Sequence, residues 1–468
     1  MTESTAPVAN AFIDALISAI GADAVQSGDA IPARHRTDWS GTTPARPLAL
    51  VRPRSTDDIA AVLRLCTEYR VPVVPQGGLT GMAGAAVPQP DGIAISFDRM
   101  AAIESIDVAA STMTAQAGAT MQAVQEAAAA HGLQFGVDLG ARGSCQIGGN
   151  LSTNAGGNGV LQFGMMREQA LGLELVLADG SVLPMLRPMI KNNTGYDLKQ
   201  FFIGAEGTLG VITRAVLRLH PAPRAHATVL VALGSFDNGL ALLSRLQARF
   251  PGAVAAFELM WRDFVEAALK WQHLREPFDA VHPFAALVDV TGGDEDALRE
   301  SLEALLAESM EAGEALDAVV AQSHAQARAL WKIREATAEL PTHMHPPLNF
   351  DVSLPMADIG RFAEACRTAL DARWPGQHSV FFGHVGDSNL HISTDLKTVG
   401  HAEHEVEAIV YGQVARFGGS VSAEHGIGLH KKPWLGVSRT PAELAAMRAI
   451  KVALDPLNLM NPGKLFDL

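Results

Sequence analysis

Cysteine is scarce in this chain, and its scarcity excludes whole classes of chemistry. Only Cys66, Cys145 and Cys366 occur, none in a CxxC spacing, which excludes a Cys-held iron–sulfur cluster within the chain and argues against a disulfide framework. A reducing, cytoplasmic setting fits that usage. Basic charge is short as well: Lys and Arg number 36 against 50 Asp and Glu, a net charge of −14 with no concentrated basic run. Nucleic acid requires a Lys/Arg footprint for its phosphates, so no nucleic-acid partner is expected. The opening MTESTAPVANAFIDALISAI carries Glu3 and no basic n-region, so it reads as an amphipathic first helix and not as a leader peptide. Internal repeats and low-complexity linkers are missing. Neither a strand–GxGxxG–helix unit with a downstream acid nor GxxxxGK[ST] is found, which makes a Rossmann site and a P-loop poor fits.

What is present is glycine, 43 of 468 residues. The stretch SCQIGGNLSTNAGGNGVLQFGMM, residues 144–166, runs without a charge, yet Gly148, Gly149, Gly156, Gly157, Gly159, Gly164 and three asparagines interrupt it. That is unsuited to a membrane span, which needs about 20 mostly apolar residues. Glycine lets backbone approach closely and offers its N–H groups to a ligand. Three such loops lie in the first half, at 75–84, 140–164 and 192–213. Several loops converging on one ligand would supply many donors, suiting a pyrophosphate joined to a fused ring system. The competing reading is that the glycines serve only turns and bulges.

With 48% hydrophobic and 18% charged residues the chain should be globular, and its length suggests two or three domains. Residues 55–69 predict a helix capped at Ser55 or Thr56, with Ile59, Val62, Leu63, Cys66 and Tyr69 on one face. In LGLELVLADGSVL the alternation of Leu171, Leu173, Leu175 and Leu177 and the Asp179-Gly180 turn predict a hairpin. A proline-rich exit near residue 221 marks a domain boundary. Beyond it, strands such as HATVLVAL and FAALVDV alternate with helices at 295–312 and 323–340, predicting an antiparallel sheet with helices on one face. Residues 402–417 predict a helix with Val406, Ile409, Val410, Val414 and Phe417 inward and Gly418-Gly419 as its stop.

VPQGGLTGMAG, GSCQIGGNLSTNAGG, LGLELVLADG and NNTGYDLKQFFIGAEGTLGVIT closely resemble the FAD-binding domain of the vanillyl-alcohol oxidase (PCMH) type, most of all its D-2-hydroxyglutarate and D-lactate dehydrogenase branch. The resemblance runs from about residue 45 to the C-terminus. It implies an α+β fold: a helical segment over 1–44, a two-lobed PCMH-type FAD-binding domain over 45–222, an antiparallel-sheet-plus-helices cap domain over 223–430, and a segment over 431–468 that returns to the FAD domain. FAD would be held by Gln76, Gly77, Gly78, Thr80 and Gly81, by Ser144, Gly148, Gly149 and Asn150, by Asn154 and Gly156, and by Gly207 and Ile212. Relatives that attach flavin covalently often use a histidine in the first loop; none stands here, so binding is expected to be non-covalent.

The second half carries FFGHVGDSNLHIS, with His384 at a strand end and His391 in the next strand, and later SVSAEHGIG with Glu424 and His425. Two imidazoles and a carboxylate suit Zn²⁺, Mn²⁺ or Fe²⁺ and leave coordination positions open. The resemblance implies that His384, His391 and Glu424 are zinc ligands and that His425 is the base, with Ser388 where many relatives have glycine. Asn389 is a candidate hydrogen-bond partner of substrate or flavin. Arg334, sharing a helix face with Leu330 and Ala338, is either a salt-bridged structural residue or a fork for the substrate carboxylate; the resemblance favours the fork. Ala338 and Asn349 stand where the hydroxyglutarate enzymes would carry threonine and lysine. His343 and His345 in THMHPP look metal-like without support from the resemblance, and Lys464 in NPGK either approaches the flavin or is structural.

The implied activity is oxidation of a D-2-hydroxy acid of the 2-hydroxyglutarate, malate or lactate type to its 2-oxo acid. Hydride would pass to flavin N5 and electrons onward to an external electron-transfer flavoprotein, quinone or cytochrome, from a homodimeric enzyme without a membrane span. The alternatives are a non-catalytic flavin-binding subunit, an oxidase using O₂, and a flavin-free metallohydrolase.

Overall fold

The computed structural model describes residues 6–468; Met1–Thr5, and with them Glu3, lie outside the described residues. Two compact units emerge. One takes the chain up to Gly157, then Gly164–Ala222 and Glu424–Leu468; the other comprises Asn158–Phe163 and Pro223–Ala423.

Among the described residues the first unit holds two main sheets and a two-stranded ladder of Leu133–Gln134 with His220–Pro221. In the smaller main sheet, the strands Val25–Ser27, Ala49–Val51, Ile93–Ser96 and Val73–Gln76 lie in that order, the first pair antiparallel and the others parallel. Ala49–Val51 and Ile93–Ser96 are buried throughout, as strands covered on both faces must be. The helix Thr56–Tyr69 starts where the Ser55 hydroxyl accepts the Asp58 N–H and ends at Arg70 in a left-handed conformation, its N–H donating to the Cys66 carbonyl. Its buried face, Ile59, Val62, Leu63 and Cys66, packs with Phe12 and Leu16 of the helix Ala6–Ile20. The larger sheet is antiparallel in the order Ile103–Asp107, Thr112–Gln116, Val211–Arg218, Ala170–Val176, Val182–Met185.

The hairpin forms as expected, its Asp179 carboxylate accepting the Ser181 N–H at 2.8 Å. Its burial does not alternate. Leu173 joins one core cluster, Leu175 a second and Val176 a third, and Gly172 and Glu174 between them are also buried. Both faces of this strand are covered, so polarity carries no period-two signal there.

The second unit is built on one seven-stranded sheet in the order Asp317–Val320, Ala225–Leu233, Phe284–Gly292, Val254–Trp261, Ser379–Gly383, Asn389–Asp395, Pro347–Ser353, every neighbouring pair antiparallel. Ala227 to Leu233 are all buried although successive side chains point to opposite faces, so the expected one-sided cover is corrected to cover on both. The helix expected over 323–340 ends earlier: His324–Glu335 is α-helical, Ala336–Glu339 tightens to 3₁₀, and Leu340–His343 follows with Pro341 near its start. Proline cannot donate to the carbonyl one turn back, which breaks the run. Ala338 is consequently exposed and leaves the face it was expected to share with Arg334. The helix Glu403–Arg416 buries Val406, Val410 and Val414, while Ile409 and Phe417 are only half-buried.

Candidate active site

The first unit contains a glycine-lined cleft of about 740 Å³, open mouth included, within the roughly 300–1,000 Å³ of small-molecule sites. Of the residues expected to hold flavin, Gly77, Gly78, Thr80, Gly81, Gly148, Gly149, Asn150, Gly207 and Ile212 line it. Gly78 serves packing too: a Cβ there would meet the Ser144 carbonyl oxygen at 1.9 Å, so no other residue lets these two loops stack backbone on backbone. The N–H groups of Gly78, Leu79, Thr80 and Gly81 find no protein acceptor among the described residues. Partly buried backbone donors rarely stay unpaired, so this run fits an acceptor-rich ligand such as a pyrophosphate. The Gln146 side-chain oxygen, buried at the cleft wall without a partner among the described residues, is an acceptor and calls instead for a hydrogen-bond donor on the occupant.

Four expected residues lie elsewhere. Gln76 is fully buried, its oxygen on His35 Nδ1 at 2.9 Å and its amide donating to the carbonyls of His35 and Ala86 at 3.1 and 2.9 Å. Ser144 is exposed. Asn154, left-handed at the end of the helix Ile147–Thr153, accepts the Arg167 N–H at 2.9 Å. Gly156 is buried away from the cleft lining. A residue not anticipated, Glu206, lines the cleft; its carboxylate accepts the N–H groups of Ile427 and Gly428 at 2.7 and 2.8 Å. Burial pushes its pKa up against the pull of those two donors. Lys464, whose ammonium donates to the Val87 carbonyl at 2.9 Å, is pushed down to about 8 by burial.

In the second unit, antiparallel pairing of Ser379–Gly383 with Asn389–Asp395 carries His384 just past one strand and His391 within the other. The linking 3₁₀ turn Val385–Asp387 ends at Ser388 with φ 75°, a left-handed position that glycine would occupy without strain. The imidazoles meet edge to face with centroids 5.4 Å apart. His384 Nδ1 lies 2.5 Å from Glu258 Oε1, and His391 Nδ1 lies 3.9 Å from Asp351 Oδ1. Ala423, the residue before Glu424, donates its N–H to the Asp351 carbonyl at 3.2 Å. One ligand atom each from His384, His391 and Glu424 lies within 4.8 Å of the others. Two imidazoles, one of them held by a carboxylate, plus the Glu424 carboxylate form a donor set that fits a divalent cation. His425 stands next in sequence and is half-buried.

Asn389 is buried, and neither its side-chain oxygen nor its nitrogen has a hydrogen-bond partner among the described residues. Arg334 is buried as well: its Nε donates to Glu258 Oε2 at 2.7 Å, Nη2 lies 3.4 Å from His384 Nε2, and its guanidinium carbon sits 4.9 Å from the Phe382 ring centroid. Arg334 is therefore salt-bridged, with its outer edge not engaged by Glu258. His343 is exposed and stacked on Trp271, and His345 is exposed; neither belongs to the ligand cluster. Glu258, Asp351 and Glu206 were not anticipated. The first two each stand as a lone acid in an apolar strand, AFELMW and NFDVSL, and that is the signal that could have found them.

Comparison with known proteins defines the class. Residues 47–185 match the FAD binding domain and residues 222–465 match the C-terminal domain of FAD linked oxidases; the chain belongs to the FAD-linked oxidase family and is an FAD-dependent oxidoreductase. It is 38% identical over 436 residues to the D-2-hydroxyglutarate dehydrogenase of Xanthomonas citri pv. viticola, covering 92% of this chain and 91% of that one. It is 35% identical to the enzyme of that name from Stutzerimonas stutzeri (92% and 93% covered) and 36% identical to the mitochondrial one of Danio rerio (91% and 80%). Among solved structures, p-cresol methylhydroxylase with substrate bound superposes with TM-score 0.79 at 16% identity, over 98% of this chain and 97% of that one. Alkyldihydroxyacetonephosphate synthase gives 0.74 at 18%, over 97% and 85%. These two establish the PCMH-type fold. No helix among the described residues is long and apolar enough to cross a membrane.

Proposed function

We propose that the chain is a metal-assisted, FAD-dependent dehydrogenase that oxidises a D-2-hydroxy acid to the 2-oxo acid and passes electrons to an external carrier. The observation that carries this reading is the convergence of His384, His391 and Glu424 in a chain of the FAD-linked oxidase family. When bound, the flavin accepts hydride and the divalent cation draws charge from the hydroxyl oxygen, lowering its pKa.

The chain's own residues do the rest. His384, His391 and Glu424 hold the cation; the Arg334 guanidinium presents its outer edge to the substrate carboxylate; buried Asn389 donates and accepts hydrogen bonds beside them. His425 takes the hydroxyl proton, the general-base role that imidazoles fill most often. Asn349, which the resemblance sets where the hydroxyglutarate enzymes carry a lysine, is hydrogen-bonded by the Ser393 hydroxyl at 2.7 Å and brings no cation for a distal carboxylate. This favours a lactate- or malate-type acid over the five-carbon 2-hydroxyglutarate named for the relatives. With three isolated cysteines the chain has no cluster of its own to take electrons from the flavin, which supports a separate acceptor.

An anaerobic panel of D- and L-2-hydroxy acids, followed by bleaching of flavin absorbance, tests the proposal. D-lactate, D-malate or a close relative should bleach the flavin at least tenfold faster than its L-enantiomer. Bleaching by no 2-hydroxy acid, or equally by both hands, would sink it.

A further inference from the structure

Glu258 is out of place by composition. It sits in the strand Val254–Trp261, among residues that are otherwise apolar, and is 1% exposed. A carboxylate in such surroundings is costly unless both oxygens are satisfied. The sheet register explains its partners. Leu259 pairs with Gly383 and Met260 with Phe382, so one step further along the antiparallel ladder Glu258 stands across from His384, where directly opposite side chains share a face. One oxygen meets His384 Nδ1 at 2.5 Å; the other accepts from Arg334 Nε at 2.7 Å, reaching over from the helix His324–Glu335.

Two consequences follow from that geometry. An imidazole whose Nδ1 faces a carboxylate presents Nε2 as its ligating nitrogen, and such outer partners orient the ring. A guanidinium held through Nε leaves Nη1 for a second partner, while Arg334 Nη2 lies 3.4 Å from His384 Nε2. We propose that Glu258 is the positioning residue on which both the cation ligand His384 and the carboxylate-binding Arg334 are registered, so that cation affinity and substrate affinity depend on one side chain. The inference rests on the metal-assisted reading above.

Glu258→Gln keeps the shape but can accept from only one of the two donors. In metal-stripped, flavin-loaded protein, competition for Co²⁺ against a chromophoric chelator should show a 10- to 100-fold weaker cation affinity than wild type. At saturating metal, KM for the hydroxy acid should rise about tenfold while kcat changes by no more than a few-fold, roughly the loss of one charge-assisted contact. Asp263→Asn is the control. Asp263 is a half-buried carboxylate, paired with Arg367 at 2.5 Å, and its loss should lower the melting temperature without moving cation affinity. If Glu258→Gln alone does not fold, Glu258→Gln/Arg334→Gln removes both charges together, and the same drop in cation affinity is expected. Wild-type affinity in either folded variant overturns the inference and leaves the metal reading standing. A wild type that binds no cation overturns that reading and this inference together.

Discussion

The glycine-lined cleft and the histidine–carboxylate cluster achieve recognition by opposite means. In the cleft the ligand-facing groups are mainly backbone: unpaired N–H groups from Gly78 to Gly81, with glycines packed so closely that a Cβ at Gly78 would fall 1.9 Å from a carbonyl oxygen. In the cluster the candidate ligand groups are side chains: Glu258 stands behind His384 and Arg334, and Asp351 lies 3.9 Å from His391. Main-chain recognition is written in glycine and constrains contiguous sequence. Side-chain recognition is written in a few residues far apart, and its supporting partners can stand anywhere that the sheet register brings them.

Variants should separate the two regions. The largest effect is expected from removing metal: chelation should abolish turnover while flavin absorbance stays with the protein, and full activity after verified metal removal would break the division of labour. His425→Ala should slow anaerobic flavin bleaching about a thousandfold with flavin content unchanged; bleaching at a near-normal rate would reassign the base. Arg334→Ala should raise KM roughly 30-fold, the equivalent of ~2 kcal/mol for a charge-assisted contact, and an unchanged KM would return Arg334 to a purely structural role. On the cleft side, Gly78→Ala should cost ~2–3 kcal/mol through overpacking and purify with depleted flavin. Gly77→Ala, whose Cβ would meet nothing closer than 3.4 Å, should hold flavin nearly normally; equal flavin loss in both would show that packing does not decide flavin retention.

The smallest effect concerns pH. Burial holds Lys464 at about 8 against its ordinary 10.5, so between those values the unfolded chain binds more protons than the folded one. Stability should therefore rise as pH increases from about 8 toward 10.5. Urea unfolding across that window should show this slope in wild type and lose it in Lys464→Met.

Much of this was legible in the residues. The three glycine loops announced a backbone-lined site because no other residue tolerates such close approach, and His384, His391, Glu424 and His425 were singled out by the family resemblance, the two imidazoles and one carboxylate being ligand types that suit a divalent cation. Gln76 was not legible as a structural residue: its partners His35 and Ala86 are brought to it by folding, and the letter Q in a glycine loop reads equally as ligand or brace. Glu258 and Asp351 were hidden because their meaning depends on partners across the sheet, Glu258 on a histidine 126 positions away. The early end of the helix at Glu335 was foreshadowed by Pro341, and with it the exposure of Ala338. The strand Ala170–Val176 misled in the other direction, since leucines at alternate positions suggested one buried face where both are covered.

The most direct test of the account is a metal titration of stripped, flavin-loaded protein, read by anaerobic flavin bleaching with the best D-2-hydroxy acid. Bleaching should be nearly absent without metal and return in proportion to added Zn²⁺ or Co²⁺, reaching its plateau at one equivalent per chain. Bleaching at full rate before any metal is added would contradict the central claim.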